Sequence, residues 1–142
     1  MRVLFALMLL LPTRLLAAEL ACPALVQATP AATVAAPAGW QVVQRPQAHA
    51  LEFAELFIGD PAKLGQLRGE DADYPRLVFW DLTPEPEGYT LVCRYRDTQA
   101  VLQAPVPAAA RRCEVRLSSA NGQALRRGQA VATDARATAA CR

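Results

Sequence analysis

The chain has 142 residues, of which 53% are hydrophobic, and it carries 15 basic and 13 acidic side chains. This length fits one domain that has its own hydrophobic core. Outside residues 1–18, which hold Arg2 and Arg14, the chain carries 13 basic and 13 acidic side chains. This balance gives no general attraction to nucleic acid or anionic lipid, so neither is expected as a partner. The charge is uneven, because residues 19–90 hold four basic and ten acidic side chains, whereas residues 91–142 hold nine arginines and three acidic side chains.

Residues 1–18 have the layout of a secretory signal peptide. Arg2 is followed by an apolar run from Val3 to Leu11, and small residues precede a predicted cleavage after Ala18. The run is about half of the ~20 residues that a membrane-spanning helix needs, so an uncleaved anchor is disfavoured. Lipid attachment at Cys22 is also disfavoured. The sequence therefore predicts a signal peptide at 1–18 and a single periplasmic or secreted domain at 19–142, without a membrane span.

All four cysteines, Cys22, Cys93, Cys113 and Cys141, lie after the predicted cleavage point. An even number in an exported chain predicts two disulfides, and four cysteines allow three pairings. The spacings are long and the chain has a single histidine, so a metal site is disfavoured and no cofactor is expected.

The first half of the predicted domain contains weaker strand signals. Leu25 and Val26 form a short apolar segment beside Cys22. Residues 50–58, ALEFAELFI, fit either a strand or a helix, and the aromatic residues and the short length favour a strand. Residues 59–75 are expected to be a loop with one helical turn at about 62–67.

The stretch from Arg76 to Leu117 has the densest strand pattern. Strands are predicted at 77–82, 89–96, 101–103 and 111–117, and two of them alternate clearly between apolar and polar residues. These strands are expected to form one antiparallel meander whose inner face carries Cys93 and Cys113. A turn at residues 118–122, SSANG, and a final edge strand through Val131 follow.

Placing both cysteines on one inner face favours a Cys93–Cys113 disulfide, which leaves Cys22 to pair with Cys141. Bridged Cα atoms lie about 4.4–6.8 Å apart, whereas strands separated by a third strand lie about 9–10 Å apart. Strand 101–103 therefore cannot separate the two cysteine strands under this pairing. The predicted fold class is mainly β: a small antiparallel sheet, sandwich or partly open barrel with two disulfides and little helix.

Several short motifs resemble those of a family of small exported proteobacterial proteins, the uncharacterised "STY-type" family. The motifs are Cys22-Pro23, Gly59-x-Pro61, Trp80-x-Leu82, Cys93-x-Tyr95-x-x-Thr98, a Pro-Val-Pro turn and Cys113. The resemblance spans most of residues 19–142. It implies export and a small domain, and it implies no established activity.

Few residues suggest catalysis. His49 lies in a predicted turn with no serine nearby, and a surface histidine is the favoured interpretation. Glu70, Asp71 and Asp73 lack the spacing of a calcium loop, so a solvated acidic loop is favoured there. No pair of carboxylates is singled out by its spacing. A hydrolytic enzyme is therefore the least favoured class.

Four arginines, Arg94, Arg96, Arg112 and Arg116, are predicted to share the polar face of the two cysteine strands. Arginine side chains suit carboxylates and phosphates, so this face is a candidate binding surface for an acidic protein or an anionic envelope glycan. An ordinary solvated face is the simpler alternative. The sequence favours an exported binding module without enzymatic activity, such as an inhibitor-like protein-binding domain. A glycan-binding or structural envelope component is the alternative.

Overall fold

The computed structural model of the protein describes residues 19–29 and 35–142, and these residues form two antiparallel sheets. The predicted signal peptide lies outside the described residues. The strands are β1 (Leu20–Ala21), β2 (Leu25–Ala28), β3 (Gln47–Ile58), β4 (Gln66–Leu67), β5 (Glu70–Ala72), β6 (Leu77–Asp81), β7 (Tyr89–Tyr95), β8 (Val101–Pro105), β9 (Arg112–Ser118) and β10 (Arg136–Cys141). A 3₁₀ turn, Pro61–Lys63, follows β3.

The first sheet has the strand order β1-β10-β9-β6-β5, and the second has the order β2-β3-β7-β8, with β4 also paired to β3. The mainly β fold predicted from the sequence is confirmed. Within the described ranges, no helix is long and apolar enough to cross a membrane.

The two sheets enclose one core, to which the central strands contribute alternate residues, because successive side chains of a strand point to opposite sides. In the second sheet, Leu56 of β3 lies opposite Leu91 of β7, and both are buried. In the first sheet, Val115 of β9 lies opposite Ala139 of β10, and these are buried as well. Trp80 of β6 closes the core and donates from Nε1 to the Leu67 carbonyl at 3.1 Å.

The predicted strand over residues 50–58 is confirmed as part of β3. This strand has a bulge between Leu51 and Phe53. The predicted strands at 77–82, 89–96, 101–103 and 111–117 correspond to β6, β7, β8 and β9. The turn predicted at 118–122 is also present, with the Gly122 N–H donating to the Ser119 carbonyl at 2.9 Å.

The predicted meander is wrong. β6 and β9 pair in the first sheet, whereas β7 and β8 belong to the second, so the chain crosses between sheets twice within residues 76–117. Alternation shows which side of a strand is buried, but it does not show which sheet contains the strand. Cys93 and Cys113 therefore both point inward from different sheets.

The predicted disulfide pairing is wrong for the same reason. The disulfides are Cys22–Cys93, with Cα atoms 5.8 Å apart, and Cys113–Cys141, with Cα atoms 4.0 Å apart. Cys113 and Cys141 lie directly opposite each other in the β9–β10 register. Strand 101–103 lies at the edge of the second sheet beside β7, so the constraint that we placed on it does not apply.

Two further predictions are corrected. The edge strand expected through Val131 is absent, and the last strand is β10, which lies between β1 and β9. Residues 59–75 are not entirely a loop, because β4 and β5 lie within them and the helical turn is displaced to Pro61–Lys63. β4 and β5 have two and three residues, too few to show a period in the sequence.

Candidate functional site

Arg94 and Arg96, the first two predicted binding residues, lie on and just after β7 in the second sheet. The exposed Arg94 forms an ion pair with Glu55 of β3, with Nε and Oε2 2.6 Å apart. Arg96 donates from its guanidinium to the carbonyls of Thr133 and Ala135, the latter at 2.7 Å. Arg96 thus holds the loop between β9 and β10, two strands of the first sheet, against the second sheet.

Both of these arginines also line a cleft with a volume of about 660 Å³. Its lining includes the apolar residues Phe53, Leu117 and Val131 and the acidic residues Glu52 and Asp97. The β3 bulge lies at this point and interrupts the pairing of β3 with β7 next to Phe53.

Arg112 lies on the outer side of β9, in the first sheet. Its guanidinium makes two hydrogen bonds to the Asp81 carboxylate, of 2.7 and 3.0 Å, and it stacks over the Phe79 ring with 4.3 Å between the guanidinium carbon and the ring centroid. The side-chain hydrogen bond from Arg112 holds the pKa of Asp81 below its usual value of 3.8. Arg112 is therefore fixed by a neighbouring strand within its own sheet.

Arg116 shares an acidic partner with the C-terminal residue of the chain. The Glu114 carboxylate lies 3.4 Å from an Arg116 nitrogen and 2.8 Å from an Arg142 nitrogen. The Glu114 side chain is only 15% exposed, whereas those of the two arginines are 45% and 60% exposed. Glu19 lines the same surface, so two acidic and two basic side chains lie together there.

The four arginines therefore do not form one face. Arg94 and Arg96 belong to the second sheet, and Arg112 and Arg116 lie on the outer side of the first. Three of them have a carboxylate partner within the chain, and the fourth bonds to backbone carbonyls. Their role in binding a partner stays a prediction.

The prediction that His49 is a surface residue in a turn is wrong. It lies on β3 with 7% of its surface exposed, and its Nδ1 donates to the Arg96 carbonyl at 2.7 Å. Residues 45–49 contain Arg, Pro, Gln and Ala, which gave no sign of a long buried strand. The ring connects β3 to the end of β7, which gives His49 a structural role.

The acidic residues of the predicted loop at 70–73 are separated by the formation of β5. Glu70 and Asp71 point to opposite sides of that strand, and Asp73 forms an ion pair with Arg127 at 3.5 Å. Across residues 19–29 and 35–142 there is no group of three or more His, Cys, Asp or Glu side chains that could hold a metal ion.

Sequence reasoning gave little weight to several exposed apolar side chains. Leu25 on β2 is 61% exposed, Trp40 in the loop before β3 is 76% exposed, and Leu64 after the 3₁₀ turn is 86% exposed. Single exposed apolar residues are common, and these three lie in separate segments of the chain. The segments around these residues are short and show no regular spacing of apolar residues, so the sequence did not indicate that the three side chains are exposed.

Comparison with known proteins gives two findings. A sequence model of the family described as "Type VI secretion system Tli immunity protein" matches residues 44–142. The chain is also 33% identical over 112 residues to an uncharacterised 16.3 kDa protein from the trpG 5′ region of Azospirillum brasilense, which covers 70% of this chain and 72% of that protein. No solved structure matches the chain. The family match spans β3 to β10, and hence both sheets, so this chain belongs to the Tli immunity protein family of type VI secretion systems.

Proposed function

We propose that the protein is an exported immunity protein that binds a toxic effector of a type VI secretion system and blocks its action. The family match over residues 44–142 carries this proposal. An immunity protein acts by binding, which agrees with the inhibitor-like module favoured by the sequence. In this proposal the protein itself catalyses no reaction.

The cysteine chemistry supports an extracytoplasmic location. All four cysteines are paired in disulfides, and Cys113 and Cys141 are completely buried. Structural disulfides of this kind form and persist in oxidising compartments such as the periplasm. The proposed site of action is therefore the periplasm, where an incoming effector would meet this protein before reaching its target.

A competition assay between sibling strains tests the function. Deleting the gene from a strain with an active type VI secretion system should make recipient cells sensitive to their unmodified siblings. The full-length gene should restore survival, and a version without residues 1–18 should not. Sensitivity should disappear when the attacking strain lacks a working secretion system.

Equal survival of the deletion strain and its parent would contradict the proposal. The same outcome with retention of the purified protein on peptidoglycan would instead support the glycan-binding alternative. A one-to-one complex with an effector, isolated after co-expression, would identify the partner directly.

A further inference from the structure

The β3–β4 loop, residues 59–65, reverses the chain at one end of the second sheet. Short-range hydrogen bonds fix its backbone. The Asp60 side chain accepts from the Ala62 N–H at 2.9 Å, at the start of the 3₁₀ turn. The Ile58 N–H donates to the Gly65 carbonyl at 2.9 Å and closes the loop. The chain itself therefore holds this loop in one conformation.

Leu64 has a left-handed backbone at the end of the 3₁₀ turn. Its φ and ψ angles are 61° and 25°, a region in which the Cβ atom of an L-residue is crowded by the backbone. Glycine or asparagine usually occupies such a position at the end of a helical turn. Leucine is strained there, and glycine would relieve the strain because it has no Cβ atom.

The Leu64 side chain does not compensate for this strain by packing within the fold. It is 86% exposed, the highest value among the exposed large apolar residues of the described chain. It is also absent from the described residues that form the core or pack against it. An exposed apolar residue alone is common, but backbone strain that the fold does not need is found mainly at functional sites.

Among the described residues, Asp97 is the other non-glycine residue with a left-handed backbone. Its φ angle is 56°, and it lies in the turn between β7 and β8. Aspartate tolerates this conformation because its short polar side chain can form local hydrogen bonds. An aliphatic side chain cannot do so. Asp97 therefore suits an ordinary turn, whereas nothing in the fold explains a leucine at position 64.

The surface beside Leu64 has no strong charge of one sign. Asp60, Lys63 and Glu87 line a shallow groove there, and the Lys63 Nζ lies 3.9 Å from a Glu87 carboxylate oxygen. Apolar residues from the same end of the second sheet complete the lining: Pro61, Tyr89, Pro105 and Val106. Apolar contact through Leu64 is therefore the interaction that this end of the molecule supports best.

We propose that Leu64 is the anchor of the effector interface, and that the β3–β4 loop inserts its side chain into an apolar pocket of the effector. The hydrogen bonds of the loop hold the side chain in place before binding, so little conformational freedom is lost on association. Burial of the side chain in the pocket offsets the strain of the left-handed backbone. This inference rests on the proposed immunity function and identifies the residue that carries it out.

Leu64→Gly tests the anchor, because stability and protection should change in opposite directions. Glycine adopts the left-handed backbone without strain, so the thermal unfolding midpoint should rise by roughly 3 °C. Survival of recipient cells in the sibling competition assay should fall by at least about tenfold, the scale of losing an interface hot spot. A substitution that only damaged the fold would lower both quantities.

Leu64→Ala and Leu25→Ala form a matched pair, because each shortens an exposed leucine. Leu25 is 61% exposed and pairs with Ala50, far along β3 from the β3–β4 loop. Both variants should keep the unfolding midpoint of the unaltered protein, and only Leu64→Ala should lose protection. Asp97→Gly controls for a new glycine at a left-handed position beyond the other end of β7, and it should protect fully.

Full protection by the folded Leu64→Ala variant would overturn the anchor and leave the immunity function standing. Equal loss of protection in Leu25→Ala or Asp97→Gly would also overturn it, because the effect would not be specific to the loop. A lower unfolding midpoint for Leu64→Gly would overturn it as well, since Leu64 would then stabilise the fold. Failure of the unaltered protein to protect the deletion strain would remove both the immunity function and this inference.

Discussion

The two disulfides differ in whether the segments that they join are also paired as strands. Cys113–Cys141 joins directly opposed residues of β9 and β10, two strands that are already paired along six residues of register. Cys22–Cys93 joins the end of β1 in the first sheet to β7 in the second, where no strand pairing connects the two partners. One bond thus reinforces a sheet, and the other fastens two sheets together.

This difference shows how a small domain positions a short N-terminal segment. β1 contributes two residues to the first sheet and β2 contributes four to the second, so neither has much pairing of its own. The Cys22–Cys93 bond, with the Tyr95 hydroxyl donating to the Pro23 carbonyl at 3.0 Å, fixes the crossing between them.

The largest effect is expected for the double variant Cys22→Ala/Cys93→Ala. The two cysteines are separated by 71 residues, and closing a loop of this length lowers the entropy of the unfolded chain by an amount equivalent to about 4.5 kcal/mol. Urea unfolding of the oxidised protein should show this loss in the free energy of unfolding. Amide exchange should also increase in β1 and β2, and unchanged exchange there would show that strand pairing alone fixes the crossing.

A smaller loss is expected for Cys113→Ala/Cys141→Ala. The separation is 28 residues, which corresponds to about 3.5 kcal/mol on the same loop-entropy relation. The β9–β10 ladder should keep these strands in register, so amide exchange in β10 should stay slow after correction for global stability. A loss larger than that of the first variant would reverse the comparison between the two disulfides.

The smallest effect is expected for Tyr95→Phe, which removes one hydrogen bond at the crossing segment. Losing the bond to Pro23 should lower the free energy of unfolding by about 1 kcal/mol at neutral pH. Tyr74→Phe is the matched control, because Tyr74 is 60% exposed and should change stability little. An equal effect of the two substitutions would show that the Tyr95 bond adds nothing to the crossing.

The pH dependence of Tyr95→Phe gives a second measure of the same contact. Burial raises the pKa of Tyr95 above its usual value of 10.0. The folded state then holds the phenol proton more tightly than the unfolded state. This stabilisation is complete below pH 10 and is lost as the pH rises through the folded-state pKa. Above pH 10 the unaltered protein should therefore lose stability faster than Tyr95→Phe in urea unfolding.

Much of the strand content was predictable from the sequence, because residue alternation reports local burial. Tyr89–Tyr95 and Arg112–Ser118 showed this alternation clearly and form β7 and β9. β10 was missed because its inward residues are Ala137, Ala139 and Cys141, whose small side chains give almost no contrast with Thr138 and Ala140. A strand between two others can be built from small residues when neighbouring side chains fill the core.

The cysteine pairing and the candidate binding surface were not predictable, because both depend on which strands share a sheet. Cys93 and Cys113 have similar local patterns, yet β7 and β9 lie in different sheets. Arg94 and Arg112 lie on these same two strands and are therefore on different sheets.

The connectivity of the disulfides has a consequence for biosynthesis. The bonds join the first cysteine to the second and the third to the fourth, so the two loops neither overlap nor enclose one another. A chain that crosses a membrane from its N-terminus presents Cys22 and Cys93 before Cys113 and Cys141. A thiol oxidase that joins cysteines in their order of appearance therefore produces the native pairing directly. In the proposed periplasmic location, maturation of this protein should require an oxidase and no disulfide isomerase.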